Sequence, residues 1–125
     1  MAYLVDTDVM VDVSRRNAHA ANYVDSLQDA WIAIVTAQEL IVGARDKRDV
    51  AGIDSLIASY PVMHINDRIG ERAYELLKTY AKSHGLRTFD SLIAAIALDS
   101  GLTLVTRNRK HFGMIGGIRL QVPDY

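Results

Sequence analysis

The chain of 125 residues contains no cysteine, only two prolines and no uninterrupted apolar run of membrane-spanning length. The lack of cysteine excludes thiol catalysis, disulfides and zinc–cysteine sites. A helix that crosses a bilayer needs about 20 consecutive apolar residues, so no membrane association is expected. The N-terminal segment MAYLVDTDVM lacks the basic start of a secretory signal and is acidic at position 6. We therefore expect a cytoplasmic protein.

A strong basic charge is also missing. The net charge is −1, so the chain has no overall signature of a nucleic-acid-binding domain. Half of the residues are hydrophobic and 23% are charged, which is an ordinary globular balance. A chain of this size buries roughly two-thirds of its unfolded surface. We expect one domain over residues 1–125 that needs neither a disulfide nor a structural metal.

Short apolar runs alternate with helical periodicity along the chain. The runs predict strands at residues 2–5, 31–35, 61–65, 102–105 and 118–122. Helices are predicted from the Asp-Thr-Asp segment to about residue 16 and over 18–27, 36–44, 50–59, 67–84 and 89–100, with Thr36 and Thr88 as caps. Continuous apolar strands separated by helices are typical of an α/β fold whose parallel sheet is covered on both faces.

Four polar residues occupy positions that such a sheet brings to one edge. Asp6 directly follows the first strand, and Asn108 lies three residues after the fourth. Glu39 and Asp90 lie near the starts of two helices. Crossover helices run antiparallel to the strands, so their first turns lie at the carboxyl edge, where open α/β sheets form their sites. We expect the four side chains to converge there.

Clustered carboxylates repel one another, each pair by on the order of 3 kcal/mol at about 5 Å and an effective dielectric constant near 20. A hard divalent cation such as Mg²⁺ or Mn²⁺ prefers oxygen ligands and offsets this repulsion. Such an ion can activate water and neutralise charge on a phosphate under in-line attack. Taken singly, Asp6 or Asp90 is equally compatible with a plain helix cap. Glu39 is harder to explain as a helix cap, because it lies in the apolar run AQELIVGA.

Further polar residues surround this predicted cluster. Thr7 and Thr106 are candidates to hydrogen-bond a ligand carboxylate, a metal-bound water or a bound substrate, with a helix cap as the alternative for Thr7. Asp99 follows Asp90 by nine residues, which turns it to the opposite face of the same helix. The basic candidates for phosphate binding are Arg107, Arg109 and Lys110, with a solvated surface as the alternative. His111 is a candidate general acid or base, or a turn-forming histidine.

Four segments of the chain resemble PIN-domain ribonucleases, in particular VapC-type toxins of type II toxin–antitoxin systems. They are LVDTDVMVD, TAQELIVGA, RTFDSLIAAIALDSGLTLVTRN and KHFGMIGGIRL, in this order. The resemblance spans almost the whole chain. It implies a three-layer α/β/α sandwich around a parallel sheet and a magnesium- or manganese-dependent endoribonuclease. It further implies an RNA substrate, a VapB-like antitoxin partner and a homodimer.

The resemblance also implies roles for individual residues. The three acids of the family match Asp6, Glu39 and Asp90, and its fourth acidic position falls on Asn108. Asn108 offers one neutral oxygen where the family offers a charge. Asp8 stands where the family often has asparagine, so it is a candidate supplementary metal ligand. On this hypothesis the three matching acids hold the metal, while Asn108 and Asp8 orient its water or help to hold a second ion.

Four other functions are alternatives to the toxin. A receiver-like signalling module needs an acceptor aspartate after the third strand, where the chain reads PVMHIN. A dinucleotide-binding domain needs a G-x-G-x-x-G sequence after the first strand, which is absent. A structure-specific DNA nuclease of the same fold would carry extra DNA-binding elements. A catalytically silent PIN-like RNA-binding domain would not need the three acids. A metal-titrated cleavage assay distinguishes this last alternative from the toxin.

Overall fold

A computed structural model describes the whole chain, Met1–Tyr125. Its elements are β1 (Tyr3–Val5), α1 (Thr7–Ser14), α2 (Ala18–Asp25), β2 (Ala30–Ala33), α3 (Ile34–Val42), α4 (Lys47–Ile57), β3 (Val62–Met63), α5 (Asp67–His84), α6 (Thr88–Ser100), β4 (Thr103–Val105), α7 (Arg109–Phe112) and β5 (Leu120–Gln121). None of the helices combines the length and the apolar character that crossing a bilayer requires.

The five strands form one parallel sheet in the order β3-β2-β1-β4-β5. Strand β1 is central, with Tyr3 in register with Ala30 on one side and with Thr103 on the other. The predicted parallel sheet is therefore confirmed. Because β1 is central, the residue that follows it, Asp6, lies in the middle of the carboxyl edge of the sheet.

Two apolar clusters cover the two faces of the sheet. Leu4 and Leu104 belong to a cluster formed mainly with α5 and α6, whereas Val5 and Val105 belong to a cluster with α1, α2, α3 and α4. Neighbouring residues of a strand point to opposite faces, so these short strands supply both clusters. The arrangement is the three-layer α/β/α sandwich that the resemblance implied.

A glycine ends each of the two helices α5 and α6. Gly85 after α5 and Gly101 after α6 both have a left-handed backbone, with φ of 70° and 67°. A residue with a side chain adopts this conformation only at a cost. At the other end of α5, the side chain of Asn66 accepts the N–H of Ile69 at 2.8 Å, which fixes the start of the helix.

The boundary between β2 and α3 differs from the prediction. The strand ends at Ala33 and the helix begins at Ile34, so Val35 is helical and Thr36 lies inside the helix instead of capping it. The apolar run continues without a break through both elements, and its residue types do not mark where the chain turns. The hydroxyl of Thr36 is consequently free of the backbone and available to the site described below.

Other boundaries differ because of local polar contacts or pairing. Helix α4 begins at Lys47, three residues earlier than predicted, because the side chain of Asp46 accepts the N–H of Asp49. Helix α6 begins at Thr88 itself with no side-chain cap, so the capping role predicted for Thr88 is wrong. Strands β3 and β5 are shorter than predicted. The short helix α7 was not predicted, and the burial of Phe112 anchors it.

Candidate active site

The carboxyl edge of the sheet contains an open cavity of about 210 Å³. Five of the residues predicted to supply oxygen ligands line it: Asp6, Asp8, Glu39, Asp90 and Asn108. They come from the ends of β1 and β4 and from α1, α3 and α6. The convergence expected from the topology of a parallel sheet is therefore present in the structure.

The carboxylate of Asp6 is held at both oxygens. Its side chain is nearly buried, at 6% exposed. One oxygen accepts the backbone N–H of Thr7, and the other accepts the hydroxyl hydrogen of Thr106, both at 2.8 Å. The contact with Thr7 makes Asp6 the N-cap of α1. Asp6 therefore both caps this helix and lines the cavity. Its orientation is fixed without any ion.

Burial, together with the charges of Asp8 and Asp90, raises the pKa of Asp6 to about 7, although the hydrogen bonds from Thr106 and Thr7 act in the opposite direction. Burial likewise raises the pKa of Asp8 and of Asp90. For Asp90, the positive charges of His111 and Arg87 act in the opposite direction. The environment of Asp6, Asp8 and Asp90 therefore favours binding of a proton or another cation at these three carboxylates.

Glu39 is positioned through two hydroxyl groups. Thr7 donates its hydroxyl hydrogen to Glu39 Oε1 at 3.2 Å, and its oxygen lies 2.9 Å from the hydroxyl of Thr36. Because a hydroxyl has one hydrogen, Thr36 is the donor to Thr7. The fully buried Thr36 thus supports Glu39 from the interior of α3. This role was not predicted, because the sequence pattern places Thr36 at the start of the helix.

Thr106 connects β4 to the site. It is fully buried, donates to Asp6, and accepts the backbone N–H of Asn108 at 3.0 Å. The Thr106→Val variant keeps the shape but leaves the buried carboxylate of Asp6 without a charge-assisted donor. We expect the free energy of unfolding at pH 8 to fall by about 2 kcal/mol. Thr106→Ser keeps the hydroxyl and should lose less than half of this amount. Equal losses for the two variants in chemical denaturation would contradict the assignment.

Arg107 does not line the cavity. Its guanidinium donates to Asp12 at 2.8 Å and lies 5.0 Å from the centre of the Tyr125 ring, and the Tyr125 hydroxyl donates to the same Asp12 oxygen at 2.7 Å. Its backbone N–H donates to Asp8 at 3.1 Å. These contacts fasten the segment after β4 onto α1. The guanidinium of Arg107 is thus engaged outside the cavity, and its phosphate-binding role stays a prediction.

Helix α7 carries the other basic candidates. Arg109 and Lys110 are exposed and lie outside the cavity lining, so their contact with phosphate stays a prediction. His111 lines the cavity, with Nδ1 3.6 Å from a carboxylate oxygen of Asp90. It lies in a helix and not in the turn considered as its alternative. Its role as a general acid or base stays a prediction.

Three cavity residues were not predicted. Arg87, Phe89 and Ile93 line it from the side of α6. Arg87 and Phe89 both precede Asp90 in the RTFD segment, and Ile93 follows Phe89 by one helical turn. A helical projection from Asp90 indicates these neighbours, although it does not show which of them stay exposed. Asp99 lies outside the cavity, as predicted, and pairs with Arg68 at 3.7 Å.

The oxygen-rich cavity fits a hard divalent cation by its donor chemistry. All five candidate ligands offer oxygen, and the pKa of Asp6 is raised by burial and by the charges of Asp8 and Asp90, an unfavourable environment for a lone carboxylate that a bound cation would offset. The carboxylates do not form a ready-made cluster of three or more direct ligands. Several of their oxygens are instead occupied by hydrogen bonds. This arrangement suits an ion that keeps part of its water shell, which is the habit of Mg²⁺.

Comparison with known proteins decides the family. The family model described as PIN domain matches residues 3–116. The chain belongs to the PIN-domain family. Ribonuclease VapC10 of Mycobacterium tuberculosis is 36% identical over 117 residues, which cover 89% of this chain and 86% of that protein. Plasmid stability protein StbB of Pseudomonas syringae pv. tomato is 31% identical and covers 90% of this chain and 92% of its own.

The PIN-domain architecture also agrees with solved structures. A toxin–antitoxin complex from Klebsiella pneumoniae superposes with a TM-score of 0.83 at 25% identity, covering 98% of both chains. The predicted family and the predicted sandwich fold are therefore confirmed. The predicted assignment as a VapC-type ribonuclease toxin is confirmed by the similarity to relatives named Ribonuclease VapC. PIN-domain ribonucleases as a class depend on a metal ion.

Proposed function

We propose that this PIN-domain chain is an endoribonuclease that serves as the toxin of a toxin–antitoxin pair and cleaves RNA with Mg²⁺ or Mn²⁺. One observation carries the proposal. Separate segments of the chain bring four carboxylates and one carboxamide to a single open cavity, where burial and mutual repulsion raise the pKa of Asp6 to about 7. Such an arrangement costs stability, and a cation between the carboxylates offsets that cost.

In this proposal Asp6, Glu39 and Asp90 hold the metal ion, partly through water, while Asp8 and Asn108 are supplementary ligands. When bound, the ion lowers the pKa of water and neutralises charge on the phosphate. Hydrogen bonds within the chain orient the carboxylates that hold the ion. Thr106 and the Thr7 N–H hold Asp6, and the Thr36–Thr7 pair holds Glu39. No nucleophilic side chain is required.

The partners follow from the same relationship. The Klebsiella pneumoniae structure at 25% identity is a toxin–antitoxin complex, and we propose a VapB-like antitoxin and a homodimer for this chain. We further propose that residues 1–125 act as one domain and that the activity belongs to the cytoplasm, where both RNA and the antitoxin are found. The receiver-like alternative is not favoured, because β3 ends at Met63 and is followed by His64 and not by an acceptor aspartate.

A metal titration tests the proposed activity. Purified protein is stripped with a chelator and incubated with mixed cellular RNA, and the RNA ends are mapped as Mg²⁺ or Mn²⁺ is added. We expect cleavage only with the ion, with Asp6→Asn protein as the control for contaminating nuclease. RNA binding without cleavage at any metal concentration would instead support a catalytically silent RNA-binding domain. Expression with and without the neighbouring reading frame tests the toxin role, and growth rescue by the neighbour is the expected result.

A further inference from the structure

The α6 side of the cavity is unlike the rest of its wall. The chain has two phenylalanines, and while Phe112 is fully buried, Phe89 is 53% exposed. The remaining part of its ring lines the cavity beside Asp90. Ile93, one turn further on the same helix face, extends this apolar strip into the cavity. What distinguishes Phe89 from the other exposed apolar side chains, such as Tyr74, is that it lines the same cavity as the carboxylates.

A positive charge lies next to this ring. Arg87 precedes Phe89 by two residues, is exposed, and lines the same cavity. It shares the cavity lining with Asp90 and Asp6, two of the proposed metal ligands. The cavity thus presents oxygen ligands from the sheet edge and an aromatic ring with a guanidinium from α6. Single-stranded RNA is recognised by this combination, since bases stack on aromatic rings and phosphates pair with arginine.

We propose that Phe89 stacks on the base of a nucleotide next to the cleaved phosphate and that Arg87 binds a neighbouring phosphate. This inference rests on the proposed function and extends it by naming the residues that hold the nucleotide. A phosphate bound at the carboxylates leaves the attached base within reach of the cavity rim, where the apolar strip lies. Stacking tolerates every base, because each has a flat π face, so Phe89 gives position and affinity and little sequence preference.

The test measures RNA affinity apart from cleavage. Asp6→Asn serves as a cleavage-silent background, and fluorescence anisotropy follows binding of a short labelled single-stranded RNA. We expect Phe89→Ala to bind on the order of tenfold more weakly. Phe89→Trp should bind as well as the parent or better. Phe89→Leu is the matched control, since it keeps an apolar side chain without a π face, and it should bind as weakly as Phe89→Ala.

A second arm locates the nucleotide. Single bases of the RNA are replaced in turn by abasic sites, and one position should weaken binding to the parent while leaving binding to Phe89→Ala unchanged. For Arg87→Ala we expect the slope of log affinity against log salt to become shallower by about one unit. Because Phe89 and Arg87 are exposed, the thermal midpoints of all variants should match the parent.

The outcomes separate this inference from the proposed function. Equal RNA affinity of Phe89→Ala and the parent, or full affinity of Phe89→Leu, would overturn the stacking role and leave Phe89 as a contact for a protein partner. Those results would stand even if the wild-type protein cleaves RNA. Conversely, a wild-type protein that binds RNA through Phe89 but never cleaves it would overturn the proposed function and keep the stacking role.

Discussion

Purified Asp90→Asn protein is expected to lose RNA cleavage by on the order of 10³-fold or more while remaining folded. The substitution removes a charged ligand from the cavity and keeps the size of the side chain. A bound metal supplies several kcal/mol of charge stabilisation to a transition state, and each 1.36 kcal/mol is a factor of ten in rate. Because burial raises the pKa of Asp90, the neutral asparagine should leave the thermal midpoint unchanged or raise it. The measurement is the initial cleavage rate at saturating metal ion, beside a thermal melt.

The chain offers a matched control for this experiment on the same helix. Asp99 has the same side chain and also lies in α6, but it faces away from the cavity and pairs with Arg68. Asp99→Asn should therefore cleave RNA at the wild-type rate. Full activity of Asp90→Asn would remove Asp90 from the metal site, whereas an equal loss in both variants would indicate a general effect on α6.

The location of the site was predictable because it depends on topology. Asp6, Glu39 and Asp90 converge wherever apolar strands are parallel and the helices return antiparallel to them, and both conditions can be inferred from sequence patterns. The same reasoning placed Asp99 on the opposite face of α6. These predictions use the periodicity of helices and strands, which is insensitive to an error of one or two residues at an element boundary.

The supporting contacts were not predictable because they depend on exact boundaries and on distant residues. Thr36 reaches Thr7 only because α3 begins two residues earlier than expected, within an apolar run that does not mark the turn. Arg107 is drawn to Asp12 and Tyr125, which lie 95 residues before it and 18 after it, so charge alone indicated a phosphate ligand. The short helix α7 depends on the burial of Phe112, a tertiary effect.

In metal-free buffer, the stability advantage of Asp6→Asn over wild type is expected to grow as the pH rises from 5 to 8. The folded-state pKa of Asp6 is about 7, above its ordinary value of 3.8. A carboxyl whose pKa is raised on folding contributes its full stability below the unfolded pKa and loses it as the pH rises through the folded pKa. The two pH units from 5 to 7 lie between the unfolded and the folded pKa of Asp6. Over this interval the difference in free energy of unfolding between the variant and wild type should change by about 2 to 3 kcal/mol.

Asparagine suits this comparison because it cannot acquire the charge that destabilises Asp6 at high pH. Its amide can donate to the Thr106 hydroxyl, which can rotate to accept, while its oxygen still accepts the Thr7 N–H. Chemical denaturation of both proteins across the pH range measures the difference in their free energies of unfolding. Other groups titrate equally in both proteins, so their contributions cancel in this difference. Adding Mg²⁺ at pH 8 should reverse the order, since wild type gains stability by binding the ion and the variant gains less. A stability difference that does not change with pH would show that Asp6 is ionised throughout, and the raised pKa that supports a cation at this site would then be absent.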